Sequence, residues 1–149
     1  MVSISQKCQY AVRATLELAK RYSKGPIPIS EIASSQAVPP RFLENILNEM
    51  RQGGFVESRR GVHGGYFLLA DPKELTVGRV IRFVDGSFDP VKCIGEQSKT
   101  CPLKGQCSLI DLWLKAKEAV EEVYDTTTFQ DLVEKERKLE RISVLEYCI

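Results

Sequence analysis

The spacing of apolar positions predicts a helical chain interrupted by one hairpin. Over residues 5–22, Ala11, Ala14, Leu18 and Tyr22 recur at helical intervals, with Ala19 beside them. One face of a helix is therefore apolar. Gly25-Pro26 closes that segment, because neither residue continues a helix well. Ile29-Ser30 reads as a hydrophobic staple and N-cap for a short helix over 31–35. Pro39-Pro40 can open a helix but cannot sit inside one. After it, Phe42, Leu43, Ile46, Leu47 and Met50 form one periodic stripe, and Gly53-Gly54 suits a C-cap. Three short helices with tight links, the third amphipathic, are the pattern of a helix-turn-helix.

Two strand-like runs follow, Phe55-Val56-Glu57-Ser58 and Tyr66-Phe67-Leu68-Leu69. Between them lies Arg59-Arg60-Gly61-Val62-His63-Gly64-Gly65, where glycines let the backbone turn. A hairpin directly after a helix-turn-helix is a wing. Its Arg–Gly composition suits a phosphate backbone or a minor groove. Asp71-Pro72 ends the wing, and Thr76 caps a helix bearing Val77, Val80, Ile81 and Val84. Residues 85–108 show no clear period and contain Gly, Pro, Ser and three cysteines; a loop of this length in a compact protein is normally functional or disordered.

Residues 109–124 then form the strongest apolar helix, with Leu109, Leu112, Trp113, Ala116, Val120 and Val123. A small winged-helix domain has little room to bury it. It reads as a dimerisation helix packed on its symmetry mate, an ordinary core helix being the alternative. Thr128 can cap a short helix over 129–134, and a charged segment leads to the tail. The expected fold class is mainly α with a small β-hairpin wing. The winged helix-turn-helix occupies 1–85 and the cysteine-bearing loop 86–108. The dimerisation helix and the short helix after it occupy 109–134, and a C-terminal tail 135–149.

Composition sharpens this picture. The 149 residues are 43% apolar and 28% charged, with a net charge of only +1. The charge is uneven: residues 1–72 hold nine Lys/Arg against six Asp/Glu, and residues 93–149 hold eight against eleven. A basic front half suits contact with phosphate; chance asymmetry in a near-neutral chain is the plainer alternative. The start lacks a basic region followed by an apolar run, and no stretch approaches the roughly 20 apolar residues that span a membrane. A cytoplasmic protein with no membrane partner is expected. Five cysteines in such a chain point to metal, redox or core roles rather than disulfides.

Three of those cysteines, Cys93, Cys101 and Cys107, share the loop, with seven and five residues between them and Gly95, Pro102 and Gly105 interspersed. Thiolates gathered in a pliable loop suit a soft metal centre or an iron–sulfur cluster. A structural zinc site would show Cys-x-x-Cys pairs and a fourth Cys or His. A dithiol switch would leave one cysteine over. Both of those readings, and inert cysteines, remain open on spacing alone. His63, the only histidine, reads as a wing-tip residue near phosphate rather than a ligand. No nucleophile–base pair is evident. The Gly61–Gly65 run lacks the strand–loop–helix context and the lysine of a nucleotide-binding loop. An enzyme is not expected.

The run Val56-Glu57-Ser58-Arg59-Arg60-Gly61-Val62-His63-Gly64-Gly65-Tyr66 resembles the Rrf family of winged-helix transcription regulators, of IscR, NsrR, RirA and CymR type. Gln9-Tyr10-Ala11-Val12-Arg13 and Phe42-Leu43-Glu44-Asn45-Ile46-Leu47 share the resemblance, as do residues 76–81 and 125–132. It implies a homodimer that represses or activates transcription at a palindromic double-stranded DNA operator. It also implies an iron–sulfur cluster on Cys93, Cys101 and Cys107, in 2Fe–2S form by preference over 4Fe–4S, that reports iron–sulfur, redox or nitric oxide status. The usual fourth ligands are missing: Ile110 stands where some members have a histidine, and Gln9 where others have an aspartate. Cys8 of the second subunit, or Asp111, is the substitute expected here, a plain buried helix cysteine being the alternative for Cys8.

The resemblance also implies DNA contacts. Pro39, Pro40, Arg41, Glu44 and Asn45 would lie at the N-terminal end of the helix that enters the major groove. Arg41 can pair with guanine or phosphate, Asn45 with adenine, and Glu44 can accept from cytosine, although Glu44 can also be read as a solvated helix charge. Arg59, Arg60, Gly61, His63 and Tyr66 would hold the wing on DNA. The alternative within the family is a cluster-free regulator of cysteine metabolism. The ending Glu146-Tyr147-Cys148-Ile149 resembles isoleucine-terminated tails that enter cysteine synthase, which makes that enzyme a further candidate partner; a tail packed on its own dimer is the plainer reading.

Overall fold

A computed structural model describes residues 4–94, 101–103 and 105–147 of the chain, with side chains as far as 143. The order of elements is α1 (Gln6–Lys20), α2 (Ile29–Gln36), α3 (Pro40–Gln52), β1 (Val56–Arg59), β2 (Gly65–Leu68), α4 (Val77–Asp85), a short 3-10 turn (Lys92–Ile94), α5 (Ile110–Thr126) and α6 (Phe129–Tyr147).

Local chemistry sets most of these boundaries. Ser5 opens α1 by accepting from the Cys8 amide at 3.1 Å, which satisfies one of the free donors of the first turn. Thr76 does the same for α4 through the Arg79 amide. Gly53-Gly54 closes α3 as the pattern implies. The Gly54 amide reaches the Arg51 carbonyl at 3.1 Å and the Phe55 amide reaches Met50 at 2.9 Å, the paired bonds of a Schellman motif, with Gly54 at φ +75°. The start of α2 differs from expectation. Pro28 is the N-cap residue, and Ile29 and Ser30 lie inside the helix, with no side-chain cap.

The core joins one face of each of the first four helices to the wing and to the start of α6. Leu18, Ile27, Ile32, Leu43, Leu47, Met50, Leu75, Val80, Phe129 and Val133 are all essentially inaccessible to solvent. Phe129 and Val133 each contribute on the order of 2 kcal/mol by burial. They therefore anchor α6 firmly to the DNA-binding half. The same junction is pinned by backbone: Val77 donates to Thr127 at 2.9 Å and Phe129 to Leu75 at 3.0 Å. Thr128 and Asp131 cap α6 reciprocally, each side chain accepting from the other's amide.

The expected short helix over 129–134 is instead the first third of a 19-residue helix that takes in the charged segment and the tail as far as Tyr147. Residues 134–141 are almost all Glu, Lys, Arg and Leu, strong helix formers, so nothing stops the helix after its buried first turns. One buried charge also tethers it. Glu17 of α1 accepts from Gln36 of α2 at 2.9 Å and from Lys20 at 3.1 Å, and Lys20 donates onward to Glu136 of α6 at 3.2 Å. Burial alone would raise the Glu17 carboxyl. The hydrogen bonds from Gln36 and Lys20 outweigh it and hold the group below the usual carboxylate range.

Candidate nucleic-acid interface and cysteine site

The helix-turn-helix turns through Ala37, which adopts a left-handed conformation at φ +50°. This places Pro39, Pro40, Arg41, Phe42, Glu44 and Asn45 on the exposed N-terminal end of α3 while Leu43, Ile46 and Leu47 bury. Phe42 departs from the sequence reading. It lies on the flank of the helix, 60% exposed, and is no part of the core stripe.

The wing is an antiparallel pair in which Ser58 faces Tyr66 and Arg59 faces Gly65. Ile27 adds a third edge, exchanging two backbone bonds with Tyr66 at 2.8 and 2.9 Å. Glycine is required at 65. A β-carbon there would stand 2.2 Å from the Ile27 carbonyl oxygen, and φ is +149°. Arg59, Arg60, Gly61, Val62 and His63 are all exposed at the tip, Val62 almost completely. Among the described residues, none of Arg41, Arg59 and Arg60 is paired with a carboxylate, so these charges are available to phosphate. Tyr66, expected to help hold the wing on DNA, also braces the wing against α3. It is half-buried, and its hydroxyl donates to Asn48 of α3 at 3.4 Å. With Arg51 donating to Ser58 at 3.1 Å, it fixes the wing's angle to α3.

Cys93, Cys101 and Cys107, separated by up to 14 positions, line one cavity of about 490 Å³ with Leu103, Gly105, Gln106, Ser108 and Ile110. All three cysteines are free and partly exposed. Three soft thiol donors around a single hollow large enough for a small inorganic group fit a thiolate-held centre. Among the described residues, however, no three His, Cys, Asp or Glu side chains are gathered closely enough to hold a metal ion. The hollow is common to the three thiols, which are not drawn together at its middle.

The candidate fourth ligands separate clearly. Asp111 is exposed in the first turn of α5, next to Ile110 of the cavity wall. Cys8 is completely buried in the core. Burial, with the Asp85 carboxylate adding to it and accepting its hydrogen bond, pushes the thiol up to about 12. The Cys8 thiol is thus shielded within its own subunit and held neutral, and it is the thiolate that ligates metals. Within its own subunit Cys8 is a buried core residue, the plainer of the two readings of it, whereas Asp111 is open to solvent beside the cavity. His63 stays on the wing tip.

A polar latch, which the sequence pattern did not reveal, joins the start of the cysteine loop to α4 and α5. Arg82 of α4 donates to both oxygens of Asp125 of α5 at 2.5 and 2.7 Å, and its guanidinium lies 5.0 Å over the Phe88 ring. Phe88 is buried and stacks on Tyr124, with ring centroids 5.2 Å apart. Lys117 of α5 donates to Asp89 at 2.7 Å, and that bond holds the Asp89 carboxyl below its usual range. These partners lie 28 to 43 residues apart, which is why periodicity could not find them.

Beyond the latch, α5 buries none of its residues. Leu109, Leu112, Leu114, Val120 and Val123 are exposed, and on α6 so are Leu139 and Ile142. The residues at 148 and 149, which complete the candidate cysteine synthase tail, lie outside the described residues. No helix among the described residues is long and apolar enough to cross a membrane.

A helix-turn-helix with a basic two-stranded wing behind it defines a winged-helix DNA-binding protein. The chain belongs to the Rrf2 family, whose model carries the description iron-dependent transcriptional regulator and matches residues 4–135. It is 34% identical over 131 residues to the HTH-type transcriptional regulator CymR of Bacillus subtilis, covering 88% of this chain and 89% of that one. It is also 34% identical over 130 residues to the regulator IscR of Serratia proteamaculans, covering 87% and 78%. Among solved structures, CymR of B. subtilis, titled the global cysteine regulator, superposes with a TM-score of 0.74 at 35% identity over 91% of this chain and 98% of that one. IscR of T. potens gives 0.70 at 30% over 90% and 88%. The protein is thus a DNA-binding transcriptional regulator and not an enzyme.

Proposed function

We propose that this protein is a homodimeric regulator whose operator binding depends on an iron–sulfur cluster held by Cys93, Cys101 and Cys107. The observation that supports it most is the single cavity lined by all three cysteines. When bound, the cluster would supply a redox- and ligand-sensitive inorganic centre, in 2Fe–2S form by preference, with Asp111 as candidate fourth donor. The chain's own residues convert the order of that loop into the pose of the DNA-binding half. Asp89 and Phe88, at the loop's start, grip Lys117 and Tyr124 of α5, and Arg82 ties α5 to α4. Ordering the loop biases one arrangement of these helices over another. The exposed apolar faces of α5 and α6 pack against those of a second copy. Arg41, Glu44 and Asn45 read bases in a palindromic operator, while Arg59, Arg60, Gly61 and His63 hold the wing to the backbone or minor groove.

Anaerobic purification tests this directly. A coloured protein with near-equal iron and sulfide, lost in Cys93→Ser, Cys101→Ser and Cys107→Ser, is the expected outcome, together with an operator shift that changes when the cluster is removed. A second reading, a cluster-free regulator of cysteine metabolism with a cysteine synthase partner, is favoured by the similarity to CymR. Colourless, iron-free protein that still shifts its operator would establish that reading instead.

A further inference from the structure

Contiguous apolar patches at the surface mark a face that something covers, whereas a single exposed apolar side chain gains meaning only from its surroundings. On α5 and α6 the exposed apolar groups form a stripe. Phe42 stands apart from it, 60% exposed on the first turn of α3 among Pro39, Pro40, Arg41, Glu44 and Asn45. Leu43, Ile46, Leu47 and Met50 define the buried face of this helix. At 100° per residue, Phe42 projects about 90° from the middle of that face, on the same flank as Glu49, which pairs with Lys7 of α1 at 2.6 Å. The opposite flank belongs to the wing, through Asn48 and Arg51. An aromatic ring therefore stands between the base-reading residues and the side of the helix that faces away from the wing.

The chemistry of this end of α3 is unusual for a surface meant to hydrogen-bond. Pro39 and Pro40 carry no side-chain donor or acceptor, and neither does Phe42. The major groove offers one apolar feature, the C5-methyl group of thymine, and Phe is among the side chains that match it. We infer that Phe42 is a specificity residue that packs on a thymine methyl in each half-site, so that the operator carries a required thymine which no hydrogen bond reads. This rests on the reading of α3 as the helix in the major groove, and it adds a base preference that Arg41, Glu44 and Asn45 do not supply.

The test uses the anaerobically purified full chain and an operator selected from random duplexes. Each thymine of a half-site is replaced in turn by deoxyuridine, which lacks only the methyl group. At one position the wild-type chain binds about fourfold more weakly per half-site, the change that burying one methyl group supplies. Phe42→Ala binds the thymine operator more weakly but loses nothing further on that replacement. Phe42→Tyr, which keeps the ring, retains the discrimination. Because Phe42 is largely exposed, Phe42→Ala folds, and unchanged thermal stability checks this. An operator bound normally with no deoxyuridine effect overturns the inference alone, as does an equal effect in wild type and Phe42→Ala. If the wild-type chain selects no duplex at all, the reading of α3 falls and this inference with it.

Discussion

Cys8 offers the sharpest test of the packing. Its thiol is inaccessible, and burial beside the Asp85 carboxylate raises it to about 12 from an ordinary 9.0. At pH 8 a thiol with that value is ionised to about one part in ten thousand, whereas a free cysteine near 8.5 is ionised to roughly a quarter. Only the thiolate attacks an alkylating reagent. Ionisation alone therefore slows Cys8 by roughly a thousandfold relative to a free cysteine, before any steric exclusion. Native alkylation with iodoacetamide, followed by peptide mass spectrometry, reads this out. Metal-free wild-type chain is expected to lose Cys93, Cys101 and Cys107 to the reagent while Cys8 stays intact until the protein unfolds. Asp85→Asn, which removes the neighbouring charge, is expected to speed the residual reaction. The sign with pH follows. Well below the unfolded value of roughly 8.5 the thiol is neutral in both folded and unfolded chains, so its contribution is intact. As pH rises through the unfolded value toward about 12 only the unfolded chain ionises, and stability is lost. Cys8→Ala removes that alkaline loss, costs about 1 kcal/mol at neutral pH through a small cavity, and leaves iron content unchanged. Alkylation of Cys8 at a rate within tenfold of the loop cysteines would refute its burial and favour its reading as a ligand.

Other outcomes follow from single contacts. Arg60→Ala should weaken operator binding across sequences and reduce the log–log salt slope by about 1 per subunit, measured by fluorescence anisotropy over a salt series; an unchanged slope would remove Arg60 from the phosphate contacts. Gly65→Ala places a β-carbon against the Ile27 carbonyl and should cost at least about 2 kcal/mol in chemical denaturation, with operator binding lost alongside. Wild-type stability would show that the wing does not need the Ile27 edge. Glu17→Gln should cost about 1–3 kcal/mol at pH 7 by removing a buried charged acceptor. Because the folded Glu17 carboxyl lies below its ordinary 4.5, its contribution is present above that pH and lost as pH falls through the folded value. The variant's stability should accordingly fall less steeply than wild type in acid, and parallel acid profiles would count against the pairing with Gln36 and Lys20.

Much of the architecture was legible in the chain because it is locally encoded. The glycine pair at 53–54, the caps at Thr76 and Thr128, and the change of period at Phe55 each act over a few residues, and each element they bound is present in the structure. The exposure of most of the candidate DNA-contact residues follows from the same local encoding, which puts them at the start of one helix and the tip of one hairpin. Sequence alone also placed three cysteines in one loop.

Tertiary structure decided what periodicity cannot express. An apolar residue at a helical interval is not thereby buried: Phe42 fits the stripe of α3 yet lies on its flank, which α1 reaches only two turns further on at Glu49, while the wing covers the opposite one. Nor does a sequence show that a cysteine is buried: Cys8 falls in the core where α1 meets the end of α4 and Asp85. Arg82 found Asp125, and Lys117 found Asp89, only through the packing of α5 on α4. A sequence records which faces want cover and which groups want partners; which neighbour supplies them is settled by the long-range packing that brings distant segments into contact.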